Sequence, residues 1–159
     1  MAKAREIEGF AEAGSFAEAA ALAVETRAGE LFSFGEGVLD TSDIERVHDM
    51  RVASRRLRAA LEIFAPCFPK SAHRGVLREV KALADDLGER RDRDVQIAEL
   101  DRLSGSLAAG DRAGIGELIR ALRAEQQAAN AILAEALERI ERDRLHARLV
   151  ALVEEARAE

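Results

Sequence analysis

Both prolines of the chain lie three residues apart in one short segment, APCFPK at 65–70, and this limits how the rest can fold. Proline ends a helix because it has no backbone N–H donor and its ring clashes with the preceding turn. On both sides of this segment, apolar residues recur at the three- and four-residue spacing of an amphipathic helix. We therefore predict long helices that are interrupted at this segment.

Four helical stretches are predicted from the apolar spacing and the breakers. They cover about residues 15–38, 43–65, 71–103 and 112–154. Ser42 and Glu45 have the spacing of a capping box at the start of the second helix. Long helices joined by short loops favour an all-α, antiparallel four-helix bundle. We assign residues 15–157 to this bundle and residues 1–14 to an N-terminal extension.

The composition limits the class of protein. Apolar residues make up 48% of the chain, which is enough to build a core and argues against disorder. Cys67 is the only cysteine, so an intramolecular disulfide and a cysteine metal cluster are excluded. No apolar run is long enough to span a bilayer, and the N-terminus lacks the apolar segment of a secretory signal. We expect a soluble, cytoplasmic protein without a membrane partner.

Positive charge is concentrated in the second predicted helix, although the net charge of the chain is −6. Placed at about 100° per residue, four side chains of VHDMRVASRRLRAAL (47–61) form a stripe about 15 Å long opposite the apolar face. They are His48, Arg51, Arg55 and Arg58. Arg56 lies on the flank of this stripe. The only acid between Arg46 and Arg58 is Asp49, which we place far from the stripe.

A stripe of like charges repels itself, so it needs a counter-ion. We interpret it as a site for phosphate or a polyanion, because arginine binds phosphate oxygens in a bidentate manner and keeps its charge. His48 adds a donor that strengthens when the ring is protonated. The alternative is that the arginines pair with acids of another helix, such as those in DDLGERRDRD (85–94).

Two motifs in this order resemble the CHAD domain, a helical domain named for its histidine. The pattern H-x-x-R-V-x-x-R-R-L-R is matched by His48, Arg51, Val52, Arg55, Arg56, Leu57 and Arg58. The pattern L-G-x-x-R-D-x-D-V is matched by Leu87, Gly88, Arg91, Asp92, Asp94 and Val95. The resemblance implies binding of inorganic polyphosphate and association with polyphosphate granules. It also implies two four-helix halves with a basic pocket between them.

By this resemblance, seven residues contact polyphosphate: five from the first motif, Lys81 from the third predicted helix, and Arg91 from the second motif on that same helix. They are His48, Arg51, Arg55, Arg56, Arg58, Lys81 and Arg91. Arg91 falls among apolar positions, so a structural ion pair with Asp92 or Asp94 is an open alternative. The resemblance covers only the first half of the family fold. Either the chain forms a homodimer that completes the two-half arrangement, which we favour, or one half binds alone.

Other functions fit the sequence less well. Glu45 with His48, and Asp143 with His146, suggest a di-iron site, but the arginines would repel a metal cation. Histidine phosphotransfer domains carry a motif that resembles H-x-x-K-G, in which the small residue one turn after the histidine gives access to the ring. In this chain Val52 occupies that position.

Nucleic-acid binding is disfavoured because no phenylalanine lies on the stripe to stack bases. Ser54 has no base to activate it, and no cofactor motif is present, so we do not expect an enzyme.

His73 is interpreted as a surface residue or a contact at the rim of the site. The alternative function is a signalling or enzyme-associated domain that binds another phosphorylated ligand.

Overall fold

The computed structural model describes residues 3–158, and these form helices and connecting loops without a β-strand. The five α-helices are α1 (Phe16–Ser33), α2 (Ile44–Ile63), α3 (Lys70–Ser106), α4 (Arg112–Arg142) and α5 (Leu145–Ala158). The prediction of an all-α helical bundle is confirmed, with five helices in place of four. No helix within 3–158 combines the length and the apolar character needed to cross a membrane.

Four of these helices enclose the core. α1 packs against α2 and α5, and α3 packs against the same two helices from the other side. Fully buried leucines come from all four helices, and Leu133 of α4 joins them: Leu31, Leu57, Leu61, Leu83, Leu87, Leu133, Leu145, Leu149 and Leu152. α4 packs mainly along α3 and forms an antiparallel hairpin with it. The core therefore holds α2 and α3 side by side, which fixes the surface between them.

The predicted fourth helix is in fact two helices. α4 ends at Arg142, and Arg144 adopts φ 55°, in the left-handed region that glycine usually occupies at a helix C-terminus. The Asp143 N–H donates to the Arg139 carbonyl, and the Arg148 guanidinium donates to the Asp143 carbonyl at 3.0 Å. α5 then continues along α3 beyond this bend, where Arg148 pairs with Glu79, and it completes the four-helix core.

The start of α2 also differs from the prediction. Asp43 occupies the N-cap position, and its side chain makes no capping hydrogen bond. Ser42 does not form a capping box with Glu45. Its backbone N–H and its hydroxyl donate to Asp40 Oδ1 at 2.9 and 2.7 Å. These hydrogen bonds lower the pKa of Asp40, with the hydroxyl contributing most. Ser42 therefore belongs to a side-chain-stabilised turn that precedes the helix.

The proline segment ends α2 as predicted. A short 3₁₀ turn at Ala65–Cys67 follows α2, and Pro69 is the N-cap of α3. His73 Nε2 lies 2.7 Å from the Leu61 carbonyl and must donate, because a carbonyl oxygen only accepts. The His73 ring also stacks on Phe68. His73 is buried and fixes this corner, so its assignment as a surface or rim residue is wrong.

A buried polar layer interrupts the packing of α3 against α4. The core positions of α3 continue from Leu87 to Arg90, Asp94 and Ile97 at three- and four-residue spacing. Arg90 Nε donates to Asp94 Oδ1 at 2.9 Å, and both side chains are fully buried. Gln126 of α4 donates to the same oxygen at 2.6 Å. The arginine that pairs with Asp94 is therefore Arg90 and not Arg91.

Asn130 connects this layer to the loop between α1 and α2. Its amide oxygen accepts a short hydrogen bond from Arg90, and its Nδ2 donates to the Leu39 carbonyl at 3.0 Å. A hydrogen-bonded layer of this kind penalises any rotation or sliding of α3 against α4, because buried polar groups would lose their partners. The layer thus fixes which face α3 presents to α2.

Candidate anion-binding face of α2 and α3

The first half of α3 runs antiparallel along the full length of α2. At one end, His73 contacts the carbonyl of Leu61. At the other end, Arg91 Nη1 donates to the carbonyl of Ile44 at 3.0 Å. Basic side chains from both helices therefore share one surface. We call this surface, which carries His48, Arg51, Arg55, Arg58 and Lys81, the basic face.

Arg51 and Arg55 form the centre of the basic face. Within residues 3–158, neither guanidinium has a hydrogen bond or a carboxylate within 4.0 Å. Arg55 is exposed and Arg51 is half-buried. Arg51 lies beside Gly88 of α3, where a β-carbon would be 3.6 Å from its Nε, which is an ordinary van der Waals contact. Both arginines are available to an anion.

His48 lies next to two carboxylates at the N-terminal end of the basic face. A ring nitrogen of His48 and one oxygen each of Glu45 and Asp49 lie within 4.8 Å of one another. Asp49 is therefore closer to the stripe than we predicted. These three groups offer ligand types that a metal ion accepts, but Arg91 Nη1 already lies 3.5 Å from Glu45 Oε1. A metal ion here would compete with that guanidinium.

Arg58 and Lys81 share one internal counter-ion. Glu62 Oε1 lies 3.1 Å from Arg58 Nε and 3.0 Å from Lys81 Nζ. The hydrogen bond from Lys81, followed by that from Arg58, holds the pKa of Glu62 below its ordinary value. All three side chains are about 40% exposed, so these ion pairs are weak and can be exchanged for another anion. The acid that pairs with the stripe thus comes from α2 itself and not from residues 85–94.

Arg56 and Arg91 have other surroundings. Arg56 points towards α1, where its Nη1 lies 3.8 Å from Oε1 of the buried Glu30. Glu30 also accepts a hydrogen bond from Arg27 at 2.8 Å. Arg91 is mostly buried and holds the first turn of α2. Of the seven predicted contacts, the structure brings five together, places Arg91 at one end and directs Arg56 to another side.

Sequence reasoning missed three residues on this surface. Glu62 follows Arg58 by four positions, which is the spacing of an ion pair on a helix. Arg74 and Arg78 precede Lys81 by seven and three positions, so all three lie on one face of α3. The helical spacing of these three residues is visible in the amino-acid sequence. That α2 and α3 combine them into one surface depends on the packing.

Comparison with known proteins gives one match. The model of the CHAD domain family matches residues 22–159, which is most of the chain and includes both motifs. No curated protein and no solved structure matches this chain. The matched region contains the whole basic face and the Arg90–Asp94 layer.

Proposed function

The chain belongs to the CHAD domain family, which is associated with polyphosphate binding, and we propose that it is a non-enzymatic module that binds inorganic polyphosphate. The observation that carries this proposal is the pair of arginines at the centre of the basic face. Arg51 and Arg55 lie one helical turn apart, and neither has a carboxylate partner among the described residues. Two unpaired guanidinium groups at this spacing favour an anion with repeated charges.

In this proposal, the arginines supply most of the affinity. Their N–H groups donate charge-assisted hydrogen bonds to phosphate oxygens, which are about twice as strong as neutral ones. His48 fixes the orientation of the ligand at one end through a ring N–H donor. Arg58 and Lys81 join when the ligand replaces the Glu62 carboxylate. Arg91 acts by holding the first turn of α2 in place.

Two features favour polyphosphate over other phosphorylated ligands. Within residues 3–158, no phenylalanine lies on the basic face to stack a base: Phe10 and Phe16 pack against Phe64 at the other side of α2. Val52 follows His48 by four positions, where a histidine phosphotransfer domain needs a small residue for access to the ring. A ligand that consists of phosphate alone needs neither a base contact nor access to the histidine as a nucleophile.

We further propose that two copies of the chain associate in the cytoplasm, at polyphosphate granules, and that each contributes one basic face. Val95, Leu118 and Ile132 on the α3–α4 hairpin are 41–56% exposed and offer apolar surface to a second copy. Solution mass measured with and without long polyphosphate tests this association. A mass of two chains is expected, whereas one chain under every condition would contradict it.

The salt dependence of binding tests the proposed function. Four to five phosphate contacts, at a slope of about −0.7 each, give a slope of about −3 for log affinity against log salt concentration. Titration of long polyphosphate at several salt concentrations measures this slope. An affinity that does not change with salt would contradict an electrostatic site.

Replacing Glu62 with glutamine is expected to tighten polyphosphate binding about fivefold. Glutamine keeps the shape of the side chain but releases Arg58 and Lys81, whose exposed ion pairs are individually weak. Because the pKa of Glu62 is lowered, its carboxylate stays ionised down to pH values below the ordinary glutamate range. Acidification from pH 8 to 5 therefore does not release these cations, and only the substitution does.

The matched control is Glu138→Gln, which makes the same charge change at an exposed position of α4. Titration of both variants at one salt concentration separates the local effect from the change in net charge. An affinity of the Glu62 variant equal to or below that of the control would show that Glu62 does not compete with the ligand.

A further inference from the structure

We propose that Lys70, Arg74 and Arg78 of α3 form a second anion-binding cluster, and that a long polyphosphate chain occupies this cluster and the Arg51–Arg55 centre together. The inference rests on the proposed function and specifies its ligand class. A linear phosphate polymer can bridge the two clusters, whereas a short phosphate can occupy only one.

The cluster consists of cations that lack counter-ions. Within residues 3–158, the side chains of Lys70, Arg74 and Arg78 have no carboxylate within 4.0 Å and no hydrogen bond. Together with Ser71 and Gly75 they line a recess of about 430 Å³. A β-carbon at Gly75 would meet no atom within 4 Å, so the floor of the recess is open. Three positive charges and a hydroxyl group thus surround a space that can hold phosphate groups.

The cluster is continuous with the basic face. Arg74, Arg78 and Lys81 follow one another at four and three residues, so they form one row on α3. Lys81 meets Arg58 at Glu62, which connects this row to the stripe on α2. Arg74 follows His73, which contacts Leu61, so Arg74 lies near the Leu61 end of α2. His48 lies thirteen residues before Leu61 on α2. At 1.5 Å per residue, a polyphosphate chain that reaches from His48 to Arg74 therefore spans roughly 20 Å.

The acidic residues near the row of Arg74, Arg78 and Lys81 do not neutralise its positive charge. Glu62 is shared by Arg58 and Lys81, and Glu79 is paired with Arg148 of α5 at 2.5 Å. Glu155 of α5 lines the adjacent groove that also reaches Ser71 and Gly75. Asp85 follows Lys81 by one turn and marks the end of the basic row on α3. Three unpaired cations against one nearby unpaired acid favour an anion in the recess.

A ligand that spans both clusters gains affinity by linkage. Once one part of the polymer is bound at Arg51 and Arg55, the rest is held near the second cluster at high effective concentration. Long chains should therefore bind more tightly than tripolyphosphate when both are compared at equal concentrations of molecules.

The test compares Arg74→Gln/Arg78→Gln with the control Arg120→Gln/Arg123→Gln on α4. Both pairs are exposed and both changes remove two positive charges. The first variant is expected to lose about tenfold in affinity for long polyphosphate and about 1.4 in salt slope, at about 0.7 per lost contact. It should keep its affinity for tripolyphosphate within twofold. The control should lose less than threefold for either ligand.

Three results would overturn the inference. One is an equal loss in both double variants, which would indicate only a change in net charge. Another is an equal loss for tripolyphosphate and for the long polymer. The third is a folded Arg74→Lys/Arg78→Lys variant, which keeps the charges, that binds the long polymer as weakly as the glutamine variant. If the unmodified chain does not bind long polyphosphate at all, the proposed function itself is wrong.

Discussion

Replacing Arg51 and Arg55 together with alanine is expected to abolish polyphosphate binding while the protein stays folded. Hydrogen bonds to charged groups contribute about 1.5–3 kcal/mol each, so the loss of two such contacts weakens binding at least a hundredfold. Neither guanidinium has a partner among the described residues, and the two charges lie one turn apart. Their removal relieves repulsion, so the melting temperature should stay the same or rise. Calorimetric titration and a thermal melt measure both effects.

The control for this experiment is Arg120→Ala/Arg123→Ala, which removes the same charge from exposed positions on α4. It should bind polyphosphate within about threefold of the unmodified chain. An Arg51→Ala/Arg55→Ala variant that unfolds would place these arginines in a structural network. A folded variant that still binds as tightly would show that the ligand lies elsewhere.

Replacing Arg90 with alanine is expected to cause a large loss of stability, about 3–5 kcal/mol. The substitution leaves the Asp94 carboxylate fully buried without its ion-pair partner, and it also removes the donor to Asn130. Urea unfolding followed by circular dichroism measures the free energy of unfolding. For a chain of this length, the melting temperature should fall by more than about 6 °C.

The neighbouring Arg91→Ala substitution is the matched control for Arg90. Arg91 donates to the Ile44 carbonyl and lies near the exposed Glu45, so its loss should cost only about 1 kcal/mol. Replacing Arg90 with methionine and Asp94 with leucine together should restore most of the lost stability, because no charge is left buried. A smaller loss for Arg90→Ala than for Arg91→Ala would contradict the role of the buried layer.

The parts of the fold that were predictable depend on local sequence. The proline segment ends α2 because proline cannot continue a helix, wherever the helix packs. The stripe of His48, Arg51 and Arg55 follows from helical periodicity alone. These features need no information about neighbouring helices, and the structure contains both of them.

The features that were missed depend on packing. Lys81 reaches Glu62 only because α3 lies antiparallel beside α2. Arg144 bends the chain in a segment of helix-favouring residues, without a glycine or proline to mark the turn. Arg90 and Asp94 continue the apolar spacing of α3, but charged side chains are rarely buried unless they are paired. Their mutual pairing, with Gln126, makes burial possible.

Competition between ligands tests the basic face most directly. Long polyphosphate, ATP and single-stranded RNA are titrated against the same chain at one physiological salt concentration, with binding of labelled long polyphosphate as the readout. If Arg51 and Arg55 bind phosphate groups without reading a base, long polyphosphate should bind more tightly than either competitor. Binding of ATP or RNA at least as tight as that of the long polymer would contradict a polyphosphate site.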